Sequence, residues 1–320
     1  LFLPNSAHLQ NIEGFIRKYA PQPSSSILHV AGHEKYIHLH PMALAMAACA
    51  GSTANKNGWQ TSGKLKNVRS IPYLVRMKLF DHISINPPKD IEEHEESGRF
   101  VPLTNIKTSE ELSKTVTDLI PLLHANSNVA DPIRYVISEL GRNVIEHSNS
   151  EVGGFACAQY FKNKQRIAVG IADSGVGILN AIRHSHPAKD EKKAFQLALT
   201  PGISGATSRI GGNETNAGAG LFFIRSIAKV SGNFFVIYSG NTLYKLMRKQ
   251  RETDKLYGDP FYEDHSLVID LPKWQGTAIG IDISVDDTAE FSKLLSIIRK
   301  SYSIDVKKQR KDYYKRIKFV

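Results

Sequence analysis

The sequence predicts an α/β protein of the α+β type, with helices on one face of a mixed sheet and a smaller α/β domain in front of it. Short apolar runs typical of buried strands alternate with longer segments of helical periodicity along the 320 residues. The hydrophobic content of 41% is enough for ordinary cores, and the length favours two domains. We place the domains at 1–90 and 107–298, with a linker at 91–106 and a basic tail at 299–320.

The first domain shows a strand, strand, helix pattern. Ser26 to Val30 and Tyr36 to Leu39 are typical of strands, and Pro41 to Ala50 is typical of a helix with proline in its first turn. Pro87-Pro88 and the acidic run after it mark the linker. Nothing in residues 1–90 indicates catalysis.

The second domain begins with two predicted helices, Leu112 to Leu123 and Ile133 to Ile145. Glu139 and Asn143 are four residues apart in the second of them, so they lie on one helical face, and His147 continues that face. An amide oxygen is a hard ligand suited to Mg²⁺, and a carboxylate can orient or deprotonate a nucleophile. The pair therefore indicates phosphoryl chemistry.

Two predicted strands follow, Gly154 to Tyr160 and Ile167 to Ala172, and the second ends at Asp173. A carboxylate at the mouth of a strand can accept the exocyclic amine of adenine. Gly175 and Gly177 let the backbone approach a base or ribose without a Cβ in the way.

The long interval from Ile178 to Ala217 then predicts a short helix at Ala194 to Leu199, followed by a glycine-rich stretch from Pro201 to Gly212 that is typical of a mobile lid. After it, Gly218, Gly220 and Leu221 open an apolar segment typical of a helix N-terminus, where free backbone amides favour phosphate. Taken singly, such glycine pairs are equally typical of turns. The cationic candidates for the γ-phosphate are Arg209 in the lid and three lysines before it, Lys189, Lys192 and Lys193, with surface solvation as the alternative for each.

Later strands are predicted at Phe234 to Tyr238, Leu267 to Ile269 and Thr277 to Ile283. Gly276-Thr277 opens the last of them and completes an ordered series of four motifs. That order and spacing resemble the Bergerat-fold ATPases, the GHKL family of gyrase, heat-shock chaperones, histidine kinases and MutL, over residues 107 to 285.

The resemblance implies a role for each motif residue. It implies that Glu139 is the catalytic or water-orienting glutamate and Asn143 the Mg²⁺ ligand, and that Asp173 reads adenine. Gly175 and Gly177 would complete that motif, and Gly218, Gly220 and Leu221 would form the phosphate side. Thr277 would support the adenine contact from a late strand. ATP and Mg²⁺ are the implied cofactors. Phe222 and Phe223 depart from the family, many members of which have a second glycine-leucine step there.

A second resemblance covers Tyr36 to Gly51, whose strand, proline and small-residue helix are similar to STAS-like domains found beside ATPases of the anti-sigma-kinase type. It implies a regulatory or docking module. An unrelated small α/β domain is the alternative.

Two functions stay open. The first is a regulatory ATPase or protein kinase in which Glu139 activates a water or a partner hydroxyl. The second is a nucleotide-gated binding module with little turnover, signalling through the N-terminal domain or the basic tail. A sensor histidine kinase would need a phosphoacceptor histidine on a dimerising helix pair, and a topoisomerase-like enzyme would need a transducer domain; neither pattern is present in this sequence.

Composition restricts the partners and the compartment. The net charge is +10, and residues 299 to 318 hold nine Lys or Arg against two Asp, so this tail contributes +7. We expect a protein partner or substrate, with nucleic acid at the tail and a homodimer as alternatives. Cys49 and Cys157 lie in apolar surroundings and predict buried thiols in a cytoplasmic protein. The sequence shows neither the apolar stretch of a membrane helix nor a signal peptide.

Overall fold

The structure is a computed structural model of the chain. This structure describes residues 1–19, 26–63, 65, 69–87, 100–123, 127–211, 218–248, 255–284 and 291–316. The N-terminal part contains β1 (Phe2–Leu3), α1 (Ile12–Ile16), β2 (Ile27–Gly32), α2 (Pro41–Lys56), β3 (Gln60–Gly63), α3 (Ile71–Arg76) and α4 (Phe80–Ile83). The larger part contains β4 (Phe100–Ile106), α5 (Ser109–Leu123), α6 (Ser127–Asn143), β5 (Gly154–Phe161), β6 (Arg166–Asp173), α7 (Gly177–Arg183), α8 (Glu191–Ala198), α9 (Gly220–Val230), β7 (Phe235–Gly240), β8 (Thr242–Leu246), β9 (His265–Val268), β10 (Trp274–Ser284) and α10 (Phe291–Arg316).

Two sheets organise the molecule. A 7-stranded sheet has the order β4-β5-β6-β10-β7-β8-β9, and a 3-stranded parallel sheet has the order β1-β2-β3. The α+β class predicted from the sequence is confirmed. In the larger sheet every described pairing is antiparallel, where a mixed sheet was expected.

The larger sheet is buried on both faces, as the continuous apolar run of β6 shows. Ile167, Val169 and Ile171 belong to the core that β6 shares with α6 and α9. The intervening Gly170 and Ala172 face α2 on the other side. Alternate residues of a strand point to opposite faces, so an apolar run without polar alternation is what a doubly covered strand requires.

Helix α2 lies directly against this second face. A Cβ on Gly170 would come within 2.0 Å of the backbone nitrogen of Met42, so only glycine permits the observed approach. The buried alanines of α2 present little side chain to the sheet. The expectation that helices cover one face of the sheet therefore needs correction, because α2 from the N-terminal part covers the other.

The start of α2 is held by buried polar groups. His40 caps the helix, since its Nδ1 accepts a hydrogen bond from the Met42 amide at 3.0 Å. Its Nε2 lies 3.4 Å from Oδ1 of Asp282 in β10. Tyr36 to Leu39 does not form the predicted strand; among the described residues it makes only one isolated bridge, Ala7 to Leu39, because its backbone pairs with the loop before α1.

Two predicted boundaries shift in the structure. Residues 100–106, expected in the linker, form the edge strand β4 paired with β5. Residues 299–316, expected as a tail, continue α10, which buries Ile298 and Val306. The acidic run of the linker lies outside the described residues. The helices and strands predicted around the four motifs are confirmed within a few residues.

Both cysteines are free and buried, as predicted. Among the helices of the described ranges, none has the length and apolarity that crossing a membrane requires.

Candidate functional site

A cavity of about 390 Å³ lies between α6, the start of α9 and the sheet. It brings together most of the residues singled out from the sequence. The site residues that line it are Glu139, Asn143, Asp173, Gly177, Gly218, Gly220, Leu221 and Thr277. Gly175 is not among the lining residues. Its Cβ would come within 1.9 Å of the Ser148 carbonyl oxygen, so glycine at this position allows the motif to pack against the end of α6.

Helix α6 presents one face to the cavity, as its four-residue spacing predicts. Tyr135, Glu139, Asn143 and His147 all line it. After Asn143 the helix continues as a π-helical turn over Val144–Ser148. Such turns are rare and occur often at functional sites, because they redirect side chains at the end of a helix.

Glu139 and Asn143 meet the first residue of α9. A Cβ on Gly220 would lie 3.1 Å from Oε2 of Glu139 and 3.7 Å from Nδ2 of Asn143. The Glu139–Asn143 face of α6 thus lies next to the start of α9. Because Gly220 has no Cβ, the space between the two helices stays open there. Nδ2 of Asn143 is buried and has no hydrogen-bond partner among the described residues. Because a buried amide without a partner is costly, this side chain is suited to a ligand.

The electrostatic surroundings of Glu139 favour a basic carboxylate. Burial raises its pKa, the charge of Arg142 opposes that rise, and the charge of Glu146 adds to it. Nη1 of Arg142 lies 3.5 Å from Oε1 of Glu139. A carboxyl group with a raised pKa is a stronger base when ionised, which suits proton transfer.

Asp173 lies at the other end of the cavity with its side chain almost fully buried. Its Oδ1 accepts a hydrogen bond from the Gly175 amide at 2.8 Å, and the Thr277 amide donates to the carboxylate as well. Burial raises the pKa of Asp173 to about 7, and the two amides oppose that shift. The Thr277 amide therefore holds the Asp173 carboxylate from a late strand, and its support of an adenine contact stays a prediction.

Residues that the sequence analysis did not single out lock this end in place. Nε1 of Trp274 donates to the Asp173 carbonyl at 3.1 Å, and Nε2 of Gln275 donates to the Gly175 carbonyl at 2.7 Å. The Ser239 hydroxyl donates to the Gly276 carbonyl at 2.7 Å and accepts from the Ile178 amide at 3.0 Å. No local pattern marks these residues, because their partners are distant in sequence.

Apolar side chains form much of the remaining wall. Such walls suit a flat aromatic ring, which gains from contact with apolar surface. The isoleucines among the lining residues are Ile171, Ile178, Ile182, Ile203 and Ile279.

The predicted lid is partly visible. Ile203, Ser204 and Gly205 line the cavity, whereas residues 212–217 lie outside the described residues. Gly218 has a φ of +63°, and a Cβ there would come within 2.5 Å of the Ile203 carbonyl oxygen. The Gly202 amide donates to the Gly218 carbonyl at 3.0 Å. Glycine at 218 thus lets the lid join the start of α9.

The cations expected from the lid do not reach the cavity. None of Lys189, Lys192, Lys193 and Arg209 is among its lining residues. Lys193 donates to Gln196 at 2.8 Å, and Lys192 lies over the ring of Phe261. The two arginines that do line the cavity are Arg142 and Arg299. Arg299 lies in α10, at the position where the predicted basic tail begins.

Comparison with known proteins found no family model and no curated protein that matches this sequence. The resemblance to Bergerat-fold ATPases therefore remains an interpretation of the motifs, and a function has to be argued from the cavity.

Proposed function

We propose that this chain binds ATP with Mg²⁺ and acts as a regulatory ATPase or protein kinase of the GHKL type, with Glu139 as the base or water-orienting residue. The contact of Glu139 and Asn143 with Gly220, in one cavity with Asp173 at its other end, carries the proposal.

The Asp173 end suits adenine. The backbone amides of Gly175 and Thr277 hold the carboxylate in one orientation. In this orientation it can accept a hydrogen bond from the exocyclic amine of the base. The isoleucine wall would contact the ring. Gly177 has a φ of +76° and packs against the Ser239 hydroxyl, which a Cβ would approach within 2.8 Å, so glycine permits this turn beside the cavity.

The Glu139 end suits phosphates. The first amides of α9 face anions favourably because the helix dipole is positive at that end. The Oδ1 amide oxygen of Asn143 is a hard ligand suited to Mg²⁺. Its buried Nδ2, which has no partner among the described residues, can donate a hydrogen bond to a phosphate oxygen. Asn143 would hold the ion, whose charge would draw the phosphate oxygens together.

Glu139 supplies the acid–base chemistry in this proposal. Its ionised carboxylate takes a proton from a water or from the hydroxyl of a protein substrate as that oxygen bonds to the terminal phosphorus. The bond from this phosphorus to the bridging oxygen breaks, and ADP leaves with the bond's electron pair. Burial raises the pKa of Glu139 and so strengthens it as a base, and the charge of Arg142 opposes the rise. The lining residues are compatible with either acceptor, so the two reactions share one site.

A nucleotide-gated switch is the second candidate, and the packing of α10 favours it. Nε2 of Gln309 donates to the Pro201 carbonyl at 3.0 Å, and Nε of Arg310 donates to the Ile210 carbonyl at 3.1 Å. The lid is thus attached to a basic helix whose outer surface is exposed. A lid that moves with nucleotide would move this attachment.

The proposed partner is a protein, with a homodimer and nucleic acid at α10 as alternatives. The free buried thiols support a reducing compartment such as the cytoplasm.

Glu139→Gln tests the catalytic role. We expect phosphate release from ATP to fall by about a hundredfold or more, the usual contribution of a general base, while Mg-ATP affinity stays within about threefold. Glu110→Gln, on the exposed first turn of α5, is the matched control and should retain turnover. Unchanged phosphate release in Glu139→Gln would exclude Glu139 as the base. Binding without release in the wild type would instead direct attention to a protein acceptor or to the switch.

A further inference from the structure

We propose that the outer end of the cavity, formed by Tyr135 and Arg299, receives the terminal phosphate of the nucleotide, with Arg299 as its cationic ligand. This inference rests on the proposed function, and it assigns a binding role to α10.

The position of Tyr135 along α6 defines this end. The Asp173 end of the cavity lies at Ser148, whose carbonyl accepts from the Val176 amide at 2.7 Å. Moving back along the face of α6, Asn143 and Glu139 come next and Tyr135 comes last. Tyr135 is one turn beyond Glu139, about 6 Å along the helix axis. Of the α6 residues that line the cavity, Tyr135 is therefore farthest from the proposed adenine position.

Aromatic contacts hold Tyr135 at the junction of three helices. Its ring centroid lies 6.4 Å from that of Phe223 in α9 and 5.9 Å from that of Phe291 in α10. Burial raises the pKa of Tyr135 and the Glu139 charge raises it further, whereas the charges of Arg299 and Arg142 oppose the rise. Arg299 is thus close enough to Tyr135 to act on the same part of the cavity.

The carboxylates that line the cavity would repel a nucleotide's phosphates unless cations lie beside them. Three carboxylates line the cavity, those of Glu139, Glu146 and Asp173. Arg142 and Arg299 are the only Lys or Arg side chains among the described lining residues. A polyanion would enter this cavity at high cost without such groups.

The two arginines differ in their partners. Arg142 lies 3.5 Å from the Glu139 carboxylate. For Arg299, no ion pair with a carboxylate occurs in the described part of the chain. Its guanidinium is therefore the one that a ligand phosphate can engage without competing with a resident salt bridge, and its fork of donors matches phosphate oxygens.

The packing of α10 fixes the backbone position of Arg299. The preceding Ile298 is fully buried, and Tyr302, one turn later, packs its ring 6.1 Å from Phe222 and 5.8 Å from Phe223 in α9. The backbone of Arg299 is thus anchored to the helix whose first turn forms the phosphate side. Binding then has to order only the side-chain torsions of Arg299 and not its backbone.

The experiment compares ATP with ADP, since only ATP carries the terminal phosphate. Affinities for both, with Mg²⁺, are measured by calorimetry for the wild type, Arg299→Ala and the control Lys300→Ala. Lys300 is the adjacent exposed cation of α10 and does not line the cavity. We expect Arg299→Ala to weaken ATP by about tenfold or more, as for loss of a hydrogen bond between charged groups, and ADP by less than about twofold. Lys300→Ala should change neither.

Arg299→Lys keeps the charge but loses the fork, so it should recover part of the ATP affinity and protects the test against misfolding of the alanine variant. Equal weakening of ATP and ADP, or no effect in Arg299→Ala, would overturn this inference while leaving the proposed function intact. Failure of the wild type to bind either nucleotide would overturn both.

Discussion

Asp173 shows at the residue scale how burial and hydrogen bonding oppose each other. The residue is 5% exposed, and burial raises the pKa of its carboxyl group from 3.8 to about 7 in spite of two amide donors. In the unfolded chain the Asp173 carboxyl group would release its proton near its ordinary pKa of 3.8, about three pH units lower than in the folded chain. Asp173 therefore stabilises the fold below about pH 4, and that contribution is lost as the pH rises through 7.

This shift predicts a pH dependence of stability without nucleotide. Between pH 5 and pH 7 the unfolded chain binds fewer protons at this site than the folded chain. The free energy of unfolding of the wild type relative to Asp173→Asn should thus fall by about 2 kcal/mol. Urea unfolding of both proteins at the two pH values measures the difference. A difference that does not change with pH would show that the Asp173 pKa is ordinary.

At the scale of elements, α2 and β6 fit together through small residues. Gly170 allows the backbone of α2 to lie on the strand, and Ala172 follows on the same face. Cys49, in the same helix, is near enough to Asp173 and Ser174 for their groups to affect its thiol, whose pKa is raised mainly by burial. The N-terminal part thus lies directly behind the proposed adenine position.

Gly170→Ala should disrupt this packing. The added Cβ would meet the Met42 backbone nitrogen at 2.0 Å, and a helix backbone cannot yield as a side-chain tip can. We expect the free energy of unfolding to fall by about 2 kcal/mol or more, as in overpacked cores. Gly14→Ala in α1 is the control, since nothing lies within 4 Å of its added Cβ. Equal stability of the Gly170 and Gly14 variants would contradict this description of the α2–β6 contact.

At the scale of the whole molecule, the sequence predicted what local patterns encode. Glu139 and Asn143 share a face because their spacing matches one helical turn, and Asp173 ends a strand because an apolar run stops there. The motifs were expected to form one site from their order in the chain, and most of their residues line one cavity. Contacts between residues of distant segments could not be predicted from local patterns.

Two such long-range features are the second face of the sheet and the role of α10. Continuous apolar runs in strands indicate burial, but they do not say which helix provides it. Arg299 belongs to a segment whose charge suggested a solvated tail, and only the packing of Ile298 and Tyr302 brings it to the cavity. Composition was therefore a poor guide to the lining cations.

The most direct test of the account is calorimetric titration of Mg-ATP into the wild type, Asp173→Asn and Asp270→Asn. Asp270 is exposed and has a φ of +60°, which asparagine tolerates, so this control makes the same chemical change away from the cavity. We expect binding by the wild type and by Asp270→Asn, with ATP affinity about a hundredfold or more lower in Asp173→Asn. Wild-type affinity in Asp173→Asn, or no binding by the wild type, would contradict it.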